Sequence, residues 1–438
     1  MRAKRYTFFL VIVMFAGCAA AQSPPAQKTA LPTADERRPQ ITFQEYLDDV
    51  LRANLDLAVQ RSHIGISHAG VTSASVSPDW SLDVGFPVVD LSGQGNPTTF
   101  GFGVDAPIEL GGKRGHRVKA AKADLAAVTS DYDDAIRQLR STATGAFIDA
   151  LGARAILASK EKSLSQLDRI VSVNQERMRV GEIGEIELVQ SRVNRDQFKA
   201  DVITAAADIY SADLIMGQQL GRPEKLAAEL PVPEGTLEIG PRTFDVSQLV
   251  AAALQLRPDV LSKQRALKAA ELRIELANAN LLPDVTVSGF FSHLAAGTGG
   301  FTQPEDNTLS ASLSVNLPFS RWKYKGELEN ARASRTQAEL QLKVAKLGAE
   351  ADVRDSYSRY QAAVQRLQVY KGGILRDADR VLEARLYAYQ RGGATLLEVI
   401  DAQRTSADIY LAYAQALIEH AHALVALEQA AAIWDVAF

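Results

Sequence analysis

A mainly helical fold with a small β part, built from duplicated long helical hairpins, is what this sequence predicts. Three observations carry the prediction. Apolar residues recur at helical spacing over very long runs, as in Leu125, Val128, Ile136, Leu139, Ala143 and Ala146 with charged neighbours. Glycines break those runs at Gly181 and Gly392, where the chain is expected to reverse into a second helix. Four short stretches alternate apolar and polar residues with the period of a strand.

The two reversals belong to an internal repeat. Gly181 and Gly392 lie 211 positions apart (392 − 181), as do Glu187 and Glu398, and Pro107 and Pro318 at the ends of strand-like runs. A shared offset gives the segment from strand to tip one length in both copies. Each copy reads as helix, two strands, a very long helix, a tip and a returning helix. The first is predicted at 42–76, 80–90, 98–106, 115–180 and 185–220, the second at 245–281, 284–294, 308–317, 324–390 and 396–434. Residues 41–221 and 245–438 are the two repeats, and a Pro/Gly-rich linker at 222–244 joins them. A continuous helix from strand to tip would reach on the order of 100 Å.

Arg2, Lys4 and Arg5 precede an apolar run from Phe8 to Ala16, too short to span a bilayer and suited to an export signal over residues 1–17. Two cleavage readings stay open. Phe15-Ala16-Gly17-Cys18 resembles a lipoprotein signal with Cys18 acylated, while Ala19-Ala20-Ala21 offers an ordinary small-residue site. Cys18 is the sole cysteine and sits at the end of the apolar core, which favours lipidation and excludes a disulfide framework. Ala19 after the cysteine, where an aspartate would favour the inner membrane, points to the outer membrane. Residues 18–40, rich in proline and small polar residues, read as lipid anchor and flexible tether.

A net charge of −4 and a pI near 6.0 argue against a nucleic-acid partner, which requires a basic face. No later apolar run has membrane-helix length, so membrane contact comes from lipid or from strands. Trp80, Leu82, Val84, Phe86 and Val88 alternate with Ser81, Asp83, Gly85 and Pro87, and Leu309, Ala311, Leu313, Val315 and Leu317 alternate with Ser310, Ser312, Ser314 and Asn316. Phe100, Phe102 and Val104 repeat the pattern, and Val285 and Val287 do so more weakly. Four such strands cannot close a barrel, because the smallest membrane barrels need about eight. Spanning therefore demands oligomerisation; a pair of soluble hairpins is the other reading.

A basic turn follows the second strand of each copy: Gly111-Gly112-Lys113-Arg114, and Arg321-Trp322-Lys323-Tyr324-Lys325. The phosphate-loop spacing is absent. These turns read as strand-to-helix corners at a membrane surface, with Lys113, Arg114, Arg321 and Lys323 facing anionic headgroups and Trp322 at the interface. Solubilising charge is the competing account.

No catalytic centre is expected. The histidines, His63, His68, His116, His293, His420 and His422, form no i, i+4 pair, and soft-metal ligands are scarce, so neither a metal site nor a cofactor is predicted. Nucleophile-elbow and dinucleotide signatures are missing. Carboxylates are abundant, as solvated helix faces require.

Taken together, the lipoprotein-like signal, the duplicated unit, the four strands and the glycine-marked tips resemble the TolC-like outer-membrane efflux proteins, over about residues 41–434. The Gly111-Gly112-Lys113-Arg114 corner looks most like the heavy-metal-efflux branch of these outer membrane factor lipoproteins. The resemblance implies a homotrimer whose strands form one twelve-stranded β-barrel and whose helices form a periplasmic α-barrel. It further implies that the tips, Val180, Gly181, Glu182, Ile183 and Gly184 in the first copy and Arg391, Gly392, Gly393, Ala394 and Thr395 in the second, meet a periplasmic adaptor (membrane fusion protein). An inner-membrane pump of the resistance-nodulation-division type would complete the system.

The family motif at the second tip is matched by Tyr389, Gly392, Glu398, Asp401 and Ala402. By that resemblance Tyr389, Glu398 and Asp401 belong to the periplasmic aperture, so the second hairpin is expected to line it and the first to stand outside. A family arginine that ties the closed state is replaced here by Ala394. Read from the residues alone, Glu398 and Asp401 could equally serve as favourable charges at a helix start. The function expected is a passive exit duct for metal ions or small toxic compounds in the outer membrane of a Gram-negative bacterium. A lipid-anchored periplasmic adaptor or scaffold, and the exit duct of a type I protein secretion system, are the alternatives.

Overall fold

The computed structural model describes residues 38–86, 99–222, 230–295, 304–317, 321–435 and 438. The chain divides into a unit at Met1–Arg38, of which only Arg38 is described, and a compact unit at Pro39–Phe438. The expected signal peptide, Cys18 and the tether up to residue 37 therefore lie outside the described residues, as do Val88 and Pro318.

The second unit is mainly α with a small β part. A three-residue strand, β1 (Gln40–Thr42), leads into α1 (Phe43–Ala53), which starts at a capping box between Thr42 and Glu45. The single helix expected at 42–76 is broken at Asn54, whose side chain accepts from Leu57 N at 3.1 Å and thereby caps α2 (Leu55–Ser75). Strands β2 (Ser81–Gly85) and β3 (Thr99–Ile108) follow. Helix α3 (Lys113–Arg179) then runs unbroken for 67 residues, about 100 Å at 1.5 Å per residue, and α4 (Glu185–Gln219) returns along it.

The stretch expected as a linker contributes to the core. Strand β4 (Val232–Glu234) pairs in parallel with β1, and Leu230, Val232 and Leu237 are buried. Helices α5 (Val246–Leu256) and α6 (Pro258–Ala279) replace the one helix expected at 245–281. Pro258 forces Arg257 out of the helical region, to ψ 122°. Next come β5 (Asp284–Leu294), β6 (Asp306–Asn316) and α7 (Arg321–Val369).

The helix expected at 324–390 is interrupted by a kink at Tyr370–Ile374, where Gly373 adopts φ 139°, a conformation open to glycine. Beyond it α8 (Leu375–Gln390) reaches the second tip and α9 (Leu396–Ala431) returns.

Four strands form one antiparallel sheet in the order β2-β3-β5-β6, so pairing of β3 with β5 joins the two hairpins. Its register places Leu82 opposite Val104, Phe102 opposite Phe291, Val287 opposite Leu313 and Val285 opposite Val315 on one face. The other face carries Ser81, Asp83, Asp105, Ser288, Ser310, Ser312 and Ser314. Strands β2 and β6 have no further partner among the described residues.

The helical core sits about midway along α3. Phe43, Tyr46 and Val50 of α1 pack on Ala143, Phe147 and Leu151 of α3 and on Met216 of α4. A second cluster joins Val353 and Tyr360 of α7 to Leu424 and Leu427 of α9. Beside it the Glu428 side chain, 2% exposed, accepts from Arg242 Nη1 at 3.2 Å and from Asp435 N at 3.4 Å. Burial, reinforced by the bond to the Asp435 carboxylate, pushes the Glu428 carboxyl up to about 7.

Between about pH 4.5 and about 7 the native state therefore holds a proton that the unfolded chain has released, and this contribution to stability falls as the pH rises. Melting temperatures at about pH 5 and about pH 8 should accordingly drop more in the wild type than in Glu428→Gln. Equal drops in the two proteins would contradict the assignment.

Candidate gate at the helical tips

Both tips are built on glycine in the left-handed region. Gly181 at φ 80° lets the Glu182 amide return to the Arg177 carbonyl at 2.9 Å, closing α3. Gly392 at φ 75° lets the Gly393 amide reach the Ala388 carbonyl at 2.9 Å, closing α8. Val180, Gly181, Glu182, Gly184, Arg391, Gly392, Gly393 and Thr395 are exposed, while Ile183 and Ala394 are half-buried.

Tyr389 does not line open space. It is 2% exposed, packed with Leu167 and Ile170 of α3 and with Leu386, Leu396 and Val399. Its hydroxyl donates to Asn174 Oδ1 at 2.6 Å and lies 3.4 Å from Glu187 Oε2, while burial pushes its pKa above the usual tyrosine value. Arg177 Nη1 donates to the Tyr389 carbonyl at 2.7 Å, and the guanidinium lies 4.4 Å from the ring centroid. Three side chains of the first hairpin, from α3 and α4, thus hold one tyrosine of the second. The guanidinium on this tyrosine comes from Arg177, 212 positions away in the chain, and not from position 394, which is alanine.

Glu398 and Asp401 share the exposed side of α9, because Leu396 and Val399 turn the opposite side toward α3. Glu398 completes a capping box: its carboxylate accepts from Thr395 N at 2.8 Å, and its own amide donates to Thr395 Oγ1 at 3.3 Å. Arg385 Nη1 adds a bond at 3.1 Å. The Thr395 amide and hydroxyl, with the Arg385 charge, hold the Glu398 carboxyl below its usual range. Both acids border a groove of about 440 Å³ between α8 and α9, with Ile374, Asp377, Val381 and Arg385.

Sequence reasoning therefore found Tyr389 but not its burial, and missed Arg177, Asn174 and Arg385. Asn174 in the middle of an apolar helical seam was the one visible signal, since buried asparagine demands a partner.

At the other end of α3, Lys113 is a correction. Expected to face headgroups, it is buried, with Nζ 2.8 Å from Asp284 Oδ1 of β5. Gly111 and Gly112, at φ 71° and 67°, bring the lysine back onto that strand. Arg114 and Lys323 are exposed, and Trp322 is 83% exposed with Lys325 5.7 Å from its ring. The side chain of Arg321 lies outside the description.

The sequence profile of the outer membrane efflux protein family matches residues 48–222 and 249–432. The outer membrane efflux protein BepC of Brucella suis is 25% identical over 63% of this chain and 59% of its own length, so the chain spans less than two thirds of that relative. The cobalt-zinc-cadmium resistance protein CzcC of Cupriavidus metallidurans is 22% identical over 83% of this chain and 84% of its own. The outer membrane protein VceC of Vibrio cholerae has the same fold, with a TM-score of 0.72 at 18% identity over 89% of this chain and 95% of its own. With both halves of the chain matched, this protein belongs to the outer membrane efflux protein family.

Proposed function

We propose that this chain is the passive exit duct of a tripartite efflux system, crossing the outer membrane with its sheet and the periplasm with its helices. The sheet carries the reading. One face is apolar, the other is lined by hydroxyls and carboxylates, and both edges lack a partner among the described residues. Strands of about 10 residues suit a tilted crossing, and open edges in lipid cost several kcal/mol per unsatisfied backbone group. Three copies joined edge to edge satisfy both edges in a twelve-stranded barrel, which makes the working unit a homotrimer. No described helix is long and apolar enough to cross a membrane, so the strands carry the span.

In this arrangement Trp322, Arg114 and Lys323 meet outer-membrane lipid, with Cys18 as the acylated anchor. The tip residues Val180–Gly184 and Arg391–Thr395 contact the periplasmic adaptor, which links the duct to an inner-membrane pump of the resistance-nodulation-division type. The likeness to CzcC, whose name refers to cobalt, zinc and cadmium resistance, supports metal ions or small toxic compounds as cargo.

The second hairpin lines the periplasmic aperture, with Glu398 and Asp401 as its acidic ring. Tyr389 holds it shut from behind, through Asn174 and Arg177. Three copies of each carboxylate near one axis repel one another and favour cations in the opening.

The reconstituted protein should run as a heat-labile oligomer in detergent and form pores in planar bilayers; absence of both would leave the adaptor or scaffold reading. Glu398→Ala with Asp401→Ala should raise single-channel conductance, and Asp401→Asn separates charge from helix capping because Asp401 takes no part in the Thr395 box. Unchanged conductance and unchanged block by multivalent cations would remove the acidic ring.

Tyr389→Phe leaves buried Asn174 without its partner, at a cost of about 1–3 kcal/mol. Faster amide exchange in α8 and at the second tip is the expected result, and Arg177→Ala should raise conductance as well. Exchange confined to its wild-type rate in both variants would show that the tyrosine does not hold the tip.

A further inference from the structure

The polar face of the sheet carries one aromatic side chain among its described residues, Phe290 of β5. It stands opposite Gly103 of β3, and Gly101 lies two positions along on the same face. These two glycines are buried in a strand whose polar-face neighbour Thr99 is exposed, because the Phe290 ring lies across them. A methyl group on Gly103 would come within 2.7 Å of Phe290 Cδ2, and one on Gly101 within 2.8 Å of Cζ. Glycine inside a strand weakens it, and marks a place where another group must approach the backbone closely. Here the approaching group is the ring, joined at Gly101 by the Phe291 carbonyl at 2.6 Å.

We infer that Gly101 and Gly103 form a recess that holds Phe290 flat against the channel wall, so that Phe290 sets the width of the passage at membrane level. The inference rests on the duct reading, in which the polar face is the lumen. With backbone behind the recess, a side chain at position 103 can displace the ring only into the lumen, where three copies converge. The neighbouring wall is built from Ser288, Ser292, Ser310 and Ser312, all small, and from Asp83 in the same row and Asp105 in the next, both shorter than phenylalanine, so Phe290 is the largest described side chain at this level.

Thiol reporters on either side of Phe290 test this in intact cells. Ser314→Cys lies on the helical side of the ring and Thr308→Cys on the loop side, both on the polar face. Maleimides of graded size added from outside must pass Phe290 to reach the first but not the second. Gly103→Ala should slow labelling of the Ser314→Cys thiol by large maleimides about ten-fold, with small ones little affected. Adding Phe290→Ala should restore the rate. Phe290→Ala alone, which leaves the glycines in place, should admit large reagents faster than the wild type, and it serves if Gly103→Ala does not assemble. Labelling that is indifferent to Phe290→Ala, or a Gly103→Ala deficit that Phe290→Ala does not repair, overturns the inference. A Ser314→Cys thiol closed to the smallest reagent while Thr308→Cys reacts would instead overturn the duct reading itself.

Discussion

A helix of 67 residues has no interior of its own, and everything else in this fold depends on how α3 is flanked. Isolated helices gain little in water, so α3 persists because α2, α4, α6 and α9 each cover part of its length. Small residues make that possible. Ala143, Ala146 and Ala150 let α3 approach its neighbours in the core about midway along it, where Phe147 supplies the bulk. Because α3 starts at the sheet corner and ends at the first tip, it also fixes the distance between the two functional ends at about 100 Å.

The ends are fastened in different ways. At the sheet end Lys113 pairs with Asp284, and Arg117 pairs with Glu109 while donating to the Ala74 and Val76 carbonyls. Partly buried ion pairs with extra backbone acceptors lock a corner, since removing one partner strands the other. The second corner, at Trp322 and Lys323, is exposed. At the tip end the fastening is a single tyrosine held through hydrogen bonds and a cation over its ring. A handful of such bonds is worth a few kcal/mol, which a partner can supply.

Local features were legible in the sequence: both glycine tips, the alternating strands and the helix starts at Thr42 and Asp245 needed only neighbouring residues to be read. Pro258 was a missed signal: one helix was expected at 245–281, although backbone sterics exclude Arg257 from the helical region before a proline. What escaped were contacts between distant parts. The β1 and β4 strands are three residues each and carry no alternation, so nothing local announces that Gln40 pairs with Val232. Likewise Lys113 looked like a surface cation because Asp284 lies 171 positions away. Arg177 looked like ordinary helix charge for the same reason. Tyr389 was legible as important but not as buried, since burial is decided by the helix that lies across it.

The kink at Tyr370–Ile374 gives the second hairpin a joint that the first lacks. At φ 139° Gly373 leaves the helical region, so α7 and α8 are two helices meeting at a residue whose backbone only glycine adopts readily. Helix α3 has no such break in its 67 residues. The direction of α8, and of the Tyr389 that it carries to Arg177 and Asn174, is therefore set by what α8 packs against and is not inherited from the axis of α7.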